Sequence, residues 1–285
     1  MQPNDYHKKI IDYYQATEHA YKDSWDLDNS LAIHYGYWDD EVKSFPESLV
    51  RMNEIMATTA RIRTQDNVLD AGCGIGGSSI FLAATRGARV TGITLSGRQV
   101  EQAVALAKRK GVNHVADFKV MNYCATTFPD ASFDVVWGCE SICYADSKEQ
   151  FINEAWRLLK PGGRMVVADG FVSAFANNDH PVIRKWLDGW QVNYLETPGR
   201  FTEFMEKAGF ISVRYRDITK ETLHSSLRLY RFYFLASAYV WWKRLRLSSP
   251  SALQVGNIKA CKYQYLGMKR KLWQYGLIVG EKPRQ

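Results

Sequence analysis

Residues 68–79 set the first element of this chain: Val68-Leu69-Asp70-Ala71-Gly72-Cys73-Gly74-Ile75-Gly76-Gly77-Ser78-Ser79. An apolar run ends in an acid and a glycine-rich turn, and a helix start follows. Glycines there let a ligand approach the backbone closely, and in an open parallel sheet such a turn lies at the carboxyl edge where nucleotide-like ligands sit. A dinucleotide loop, G-x-G-x-x-G, also follows a strand, but here the order is D-A-G-C-G-x-G-G. Asp70 inside the turn would repel a pyrophosphate and suits a cationic or zwitterionic group.

The segments downstream keep the alternation that a doubly wound α/β sheet requires. Strands are predicted at 87–96, 116–120, 132–137 and 164–168, with helices over 97–111 and 148–159 and a stop signal at Lys160-Pro161-Gly162-Gly163. Further helices are expected over 182–194 and 197–210, then a strand over 211–217 and a last one near 272–280. The expected fold is a Rossmann-like seven-stranded sheet with a helical cap at 1–60, a cofactor-binding core at 61–218 and a helical insertion plus final strand at 219–285.

On the hexad around Asp70 the chain resembles the class I S-adenosylmethionine-dependent methyltransferases. Within them, Thr94-Leu95-Ser96-Gly97-Arg98-Gln99 carries the L-S-x-x-Q pattern of the tocopherol, sterol and geranyl-diphosphate methyltransferase group, where other members end the second strand in an acid. The resemblance implies a cofactor site of Asp70, Gly72, Cys73, Gly74, Thr94, Leu95, Gln99, Asn122, Tyr123 and Cys139. Gln99 would reach the ribose, while Asn122 and Tyr123 would edge the adenine.

Methyl transfer needs in-line approach of a nucleophile, so the acceptor decides the remaining chemistry. Trp137-Gly138-Cys139-Glu140-Ser141-Ile142-Cys143-Tyr144 follows the fourth strand, and Glu140 is the carboxylate best placed to face a substrate. The segment resembles the geranyl-diphosphate version, and tocopherol methyltransferases have a comparable Glu-Ser pair. A carboxylate would stabilise the carbocation left by alkene methylation and accept its proton, and aromatic faces would assist. Tyr35 and Tyr37 of the His34-Tyr35-Gly36-Tyr37-Trp38 segment, with Tyr144, are the expected cavity wall; His34 and His180 are further possible bases.

The formal charge of +7 is unevenly spread. From Ile211 onward there are 15 Lys/Arg against 3 Asp/Glu, and upstream 22 against 27. The basic portion includes the aromatic stretch 230–246, which fits a lid over an anionic apolar substrate, a peripheral membrane contact, a nucleic-acid surface or a packed helix with solvated cations. Five cysteines without a C-x-x-C pair point to neither zinc nor disulfides, and without an apolar signal core in residues 1–9 the expected location is the cytoplasm. The leading expectation is C-methylation of an isoprenoid, such as a prenyl diphosphate with accompanying Mg²⁺ or a sterol-like alkene, with cyclisation left open. N- or O-methylation of a phenol, quinol, amine or alkaloid is the first alternative. A membrane- or RNA-surface protein that only senses the cofactor is the second. A nucleic-acid partner is not expected, and oligomeric state is not readable.

Overall fold

The computed structural model describes residues 3–25, 33–245 and 250–284; Arg246, the last cation of the aromatic stretch, lies outside them. Seven strands form one sheet: β1 (Asn67–Ala71), β2 (Arg89–Thr94), β3 (Ala116–Val120), β4 (Phe133–Cys139), β5 (Leu159–Val172), β6 (Ile211–Asp217) and β7 (Trp273–Glu281), in the order β3-β2-β1-β4-β5-β7-β6. β1 to β5 pair in parallel, and β7 runs antiparallel between β5 and β6. The connection reverses sheet direction between β1 and β4, which opens the crevice at their carboxyl ends.

The central strands are apolar because both sheet faces are covered there. Val68, Leu69, Val135, Val136, Val166 and Val167 are fully buried, and alternate residues feed two cores. α3 (Gly77–Arg86) and α4 (Gly97–Arg109) follow β1 and β2; Ser96 caps α4 by accepting from Gln99 N. α5 (Lys148–Leu158), α6 (Pro181–Gly189) and α7 (Pro198–Ala208) complete the alternation. Helices α1 (Asp5–Trp25) and α2 (Phe45–Thr59) precede β1, and α8 (Thr219–Leu245) and α9 (Ala252–Lys269) fall between β6 and β7.

Two expectations change. Lys160-Pro161-Gly162-Gly163 lies within β5, because Leu159 still pairs with Phe133 before the register shifts to Arg164 against Val135. The helix expected to reach residue 194 ends at Gly189, where an added Cβ would stand 2.5 Å from the Gly256 carbonyl of α9.

Candidate active site

The β1–α3 turn is built from backbone that side chains resist. Gly72, Gly74 and Gly76 all have positive φ. A Cβ on Gly72 would lie 2.4 Å from Ser141 Cβ, whereas one on Gly74 would meet nothing within 4 Å. The space beside Gly74 belongs to a cavity of about 110 Å³ lined by Asp70, Gly72, Cys73, Gly74, Thr94, Leu95, Gln99, Tyr123 and Cys139. Nine of the ten expected cofactor residues are thus brought together. Asn122 is not: its Oδ1 accepts from Cys124 N at 2.9 Å, and the residue lines a neighbouring surface hollow.

Within the cavity, the Asp70 carboxylate is buried, accepts from Ser79 Oγ at 2.6 Å, and burial pushes its pKa up to about 6. Thr94 Oγ1 donates to Gln99 Oε1 at 2.6 Å, which orients the Gln99 amide. Tyr123 donates its hydroxyl to the Ser141 carbonyl at 2.7 Å, joining the loop after β3 to the loop after β4. Ile10, Ile11 and Tyr14 of α1 close the cavity from outside.

Glu140 stands immediately after β4 with φ +49, the left-handed region that non-glycine residues seldom occupy. Its own N–H donates to the Ala168 carbonyl at 2.8 Å. The loop behind it is pinned: Ser141 Oγ donates to the Ala71 carbonyl, and Cys143 N donates to Asp169 Oδ2 at 2.9 Å. Buried Lys148 donates to the carbonyls of Cys143, Ala145 and Tyr194. Glu140 Oε1 accepts from Tyr35 N at 2.5 Å and from the Tyr275 hydroxyl at 2.7 Å. Oε2 has no partner among the described residues. Burial pushes the Glu140 pKa up to about 8; the two donors to Oε1 oppose the rise and the nearby Asp169 carboxylate adds to it.

Beyond Glu140 lies a second cavity of about 530 Å³, mostly apolar, lined by Trp186, Trp190, Phe232, Trp273 and Tyr275 among others. Glu140, Tyr14, Ile33 and Tyr144 line both cavities, so they mark the passage between them. Tyr35 is in the larger wall, its hydroxyl donating to Gln264 at 2.7 Å, and Tyr144 donates to the Trp190 carbonyl at 3.0 Å. Tyr37 lies outside: its hydroxyl accepts from Arg216 Nη2 at 2.6 Å. His180 caps α6, its Nδ1 accepting from Val182 N at 3.1 Å.

Several site residues carry no local sequence signal. Tyr275 reaches Glu140 only because β7 inserts beside β5, with Tyr275 opposite Gly170. Asp169, Tyr14 and Trp190 likewise join the cavity through tertiary packing. His34, one of two further possible bases in the sequence, is buried with a pKa lowered by burial to about 4. Its Nδ1–H donates to the Tyr35 carbonyl at 2.9 Å, leaving Nε2 as an acceptor without a protein partner among the described residues, in the lining of the smaller cavity.

A left-handed glycine turn at the sheet's switch point, with a buried acid and a strained carboxylate across the crevice, defines a class I methyltransferase site. The family model described as "Methyltransferase domain" matches residues 69–167. The 2-methyl-6-phytyl-1,4-hydroquinone methyltransferase of Synechocystis sp. (strain ATCC 27184 / PCC 6803 / Kazusa) is 36% identical over 231 residues, 74% of this chain and 71% of that protein. The 27-O-demethylrifamycin SV methyltransferase of Amycolatopsis mediterranei (strain S699) is 38% identical over 137 residues, about half of each chain. A geranyl diphosphate methyltransferase solved with geranyl diphosphate and sinefungin superposes with a TM-score of 0.76 at 21% identity, covering 98% of this chain and 100% of that one. The chain belongs to the S-adenosylmethionine-dependent class I methyltransferases. The open cradle at Gly74, the unpartnered His34 Nε2 and the buried Asp70 fit a zwitterionic cofactor with hydroxyl and amino donors.

Proposed function

We propose that this methyltransferase alkylates carbon on an apolar isoprenoid-type substrate with Glu140 as general base. The observation that carries the reading is the place of Glu140, a desolvated carboxyl held at one oxygen, at the passage between the cofactor-sized cavity and the large aromatic one. Bound S-adenosylmethionine supplies an electrophilic methyl group. Asp70, Gln99 and the glycine turn would hold it from below, with His34 Nε2 accepting from one of its donors. Alkene methylation leaves an electron-poor carbon, which the rings of Tyr14, Tyr144 and Trp190 stabilise through their quadrupoles. Glu140 Oε2 then takes the proton from the neighbouring carbon, and the C–H pair becomes the new double bond. Capture of that cation by another alkene of the same chain would couple methylation to cyclisation.

Arg228 and Lys243 also line the cavity, and they suit a substrate with an anionic end such as a prenyl diphosphate. Mg²⁺ would arrive with that diphosphate. O-methylation of a phenol or quinol is the second reading, favoured by the rifamycin relative, whose name records an oxygen acceptor. Glu140 would then orient the acceptor hydroxyl, and an N-methyltransferase would use it to hold an amine. The test is a product screen by mass spectrometry with isotopically labelled cofactor and geranyl and farnesyl diphosphates, sterols, prenylated quinols, phenols and amines. Label on a prenyl or ring carbon supports the proposal; label only on oxygen or nitrogen overturns it. Turnover of a free prenyl alcohol without turnover of its diphosphate would remove the diphosphate part.

A further inference from the structure

We propose that the outer face of α8 docks on an anionic lipid bilayer beside the mouth of the aromatic cavity. Surface helices ordinarily turn polar residues outward. α8 instead exposes Arg231, Phe234, Leu235, Ala238, Tyr239 and Trp241, a continuous face at i, i+3, i+4, i+7, i+8 and i+10. Phe234 is 53% exposed, Leu235 73%, Tyr239 54% and Trp241 65%. These are large rings and an aliphatic chain held against water on a helix whose other side, at Leu229, Ala236 and Val240, is buried.

Charge selects the partner. From Thr222 to Gly280 the sequence carries ten Lys/Arg and no Asp/Glu, so α8 beyond Glu221 in its first turn, and all of α9, carry cations without acids. Lys243 Nζ lies 5.0 Å from the centroid of the Tyr239 ring, at the end of the exposed face. Tryptophan and tyrosine flanked by cations is the composition that settles at a headgroup layer, where anionic lipid adds about 1 kcal/mol per nearby Lys or Arg. No described helix is long and apolar enough to cross a membrane, so the contact is peripheral.

The cavity opens on the same surface, since Leu235, Tyr239 and Lys243 line it as well as bordering solvent. A bilayer-dissolved substrate would pass from lipid to cavity without crossing water. That passage rests on the apolar-substrate reading above; the docking does not, and it is measured without substrate.

The experiment is co-sedimentation of the full chain with vesicles of phosphatidylcholine, alone or mixed equally with phosphatidylglycerol, at low and high salt. The expected result is partitioning onto the mixed vesicles about tenfold or more above phosphatidylcholine alone, weakened by salt. A Phe234→Ser/Trp241→Ser double variant should lose about tenfold of that partitioning with an unchanged thermal midpoint; neither side chain lines either of the two cavities. No binding of the native chain to mixed vesicles at low salt, or binding that the double variant retains in full, overturns the proposal. So does a dimer in sedimentation velocity that the double variant dissolves, because the face would then be a contact between copies. Vesicle binding together with methylation of only a water-soluble amine would keep the docking and remove the apolar-substrate reading.

Discussion

Glu140 and His34 show how one side chain's surroundings set its use. Glu140→Gln keeps the shape and both donors' geometry but removes the base, so kcat should fall by about 10²- to 10⁴-fold while cofactor affinity stays within a few-fold; single-turnover kinetics and calorimetric titration of the cofactor check this. Because the Tyr275 hydroxyl favours the ionised carboxyl, Tyr275→Phe should raise the Glu140 pKa, and the rise of kcat/KM with pH should shift to higher pH. His34→Asn retains an amide donor near the Tyr35 carbonyl and removes the Nε2 acceptor, so the cofactor KM should rise about tenfold with kcat little changed. Glu140 was legible in the sequence because it follows a strand at the sheet's carboxyl edge. Neither the Tyr275 donor nor the His34 tautomer was, since the Tyr275 hydroxyl meets its partner 135 residues away and the His34 Nε2 meets none among the described residues.

At the scale of elements, the β1–α3 turn separates ligand binding from stability within three residues. Gly74 has open space beside it, whereas a Cβ on Gly76 would stand 2.8 Å from the Phe118 ring. Gly74→Ala should fold with a cost of about 1 kcal/mol for its left-handed backbone and bind cofactor much more weakly. Gly76→Ala should mainly lower the thermal midpoint, because it adds the same strain and forces Phe118 to move. Thermal melts with and without cofactor distinguish the two. The turn was readable because its geometry is local: acid, glycines and helix start are consecutive. The 34–38 segment was not placed by any local rule; it is held by Gly36 N on Ser225 Oγ, Trp38 N on the Glu221 carbonyl and Tyr37 N on the Ser48 carbonyl, partners from α2 just after it and from α8 far along the chain.

Across the whole molecule, three carboxyls are buried in or beside the cavities, with Asp70 and Asp169 pushed up to about 6 and Glu140 to about 8. Between their ordinary values near 4 and these raised ones the folded chain binds more protons than the unfolded chain, so its stability falls as pH rises. The ligand-free protein should therefore melt several degrees lower at about pH 8 than at about pH 5.5, and Glu140→Gln should flatten the part of that fall above about pH 6; calorimetry across this range measures it. The sequence alone determined the strand and helix alternation, the glycine turn and the cofactor class, because hydrophobic period, turn chemistry and charge act between residues close in the chain. Tertiary structure decided which tyrosines reach the site, that Tyr37 and Asn122 do not, and that the aromatic face of α8 lies open beside the larger cavity. Those depend on where β7 enters the sheet and how α8 and α9 lie over its edge, and contacts between distant segments are set by packing the entire core at once.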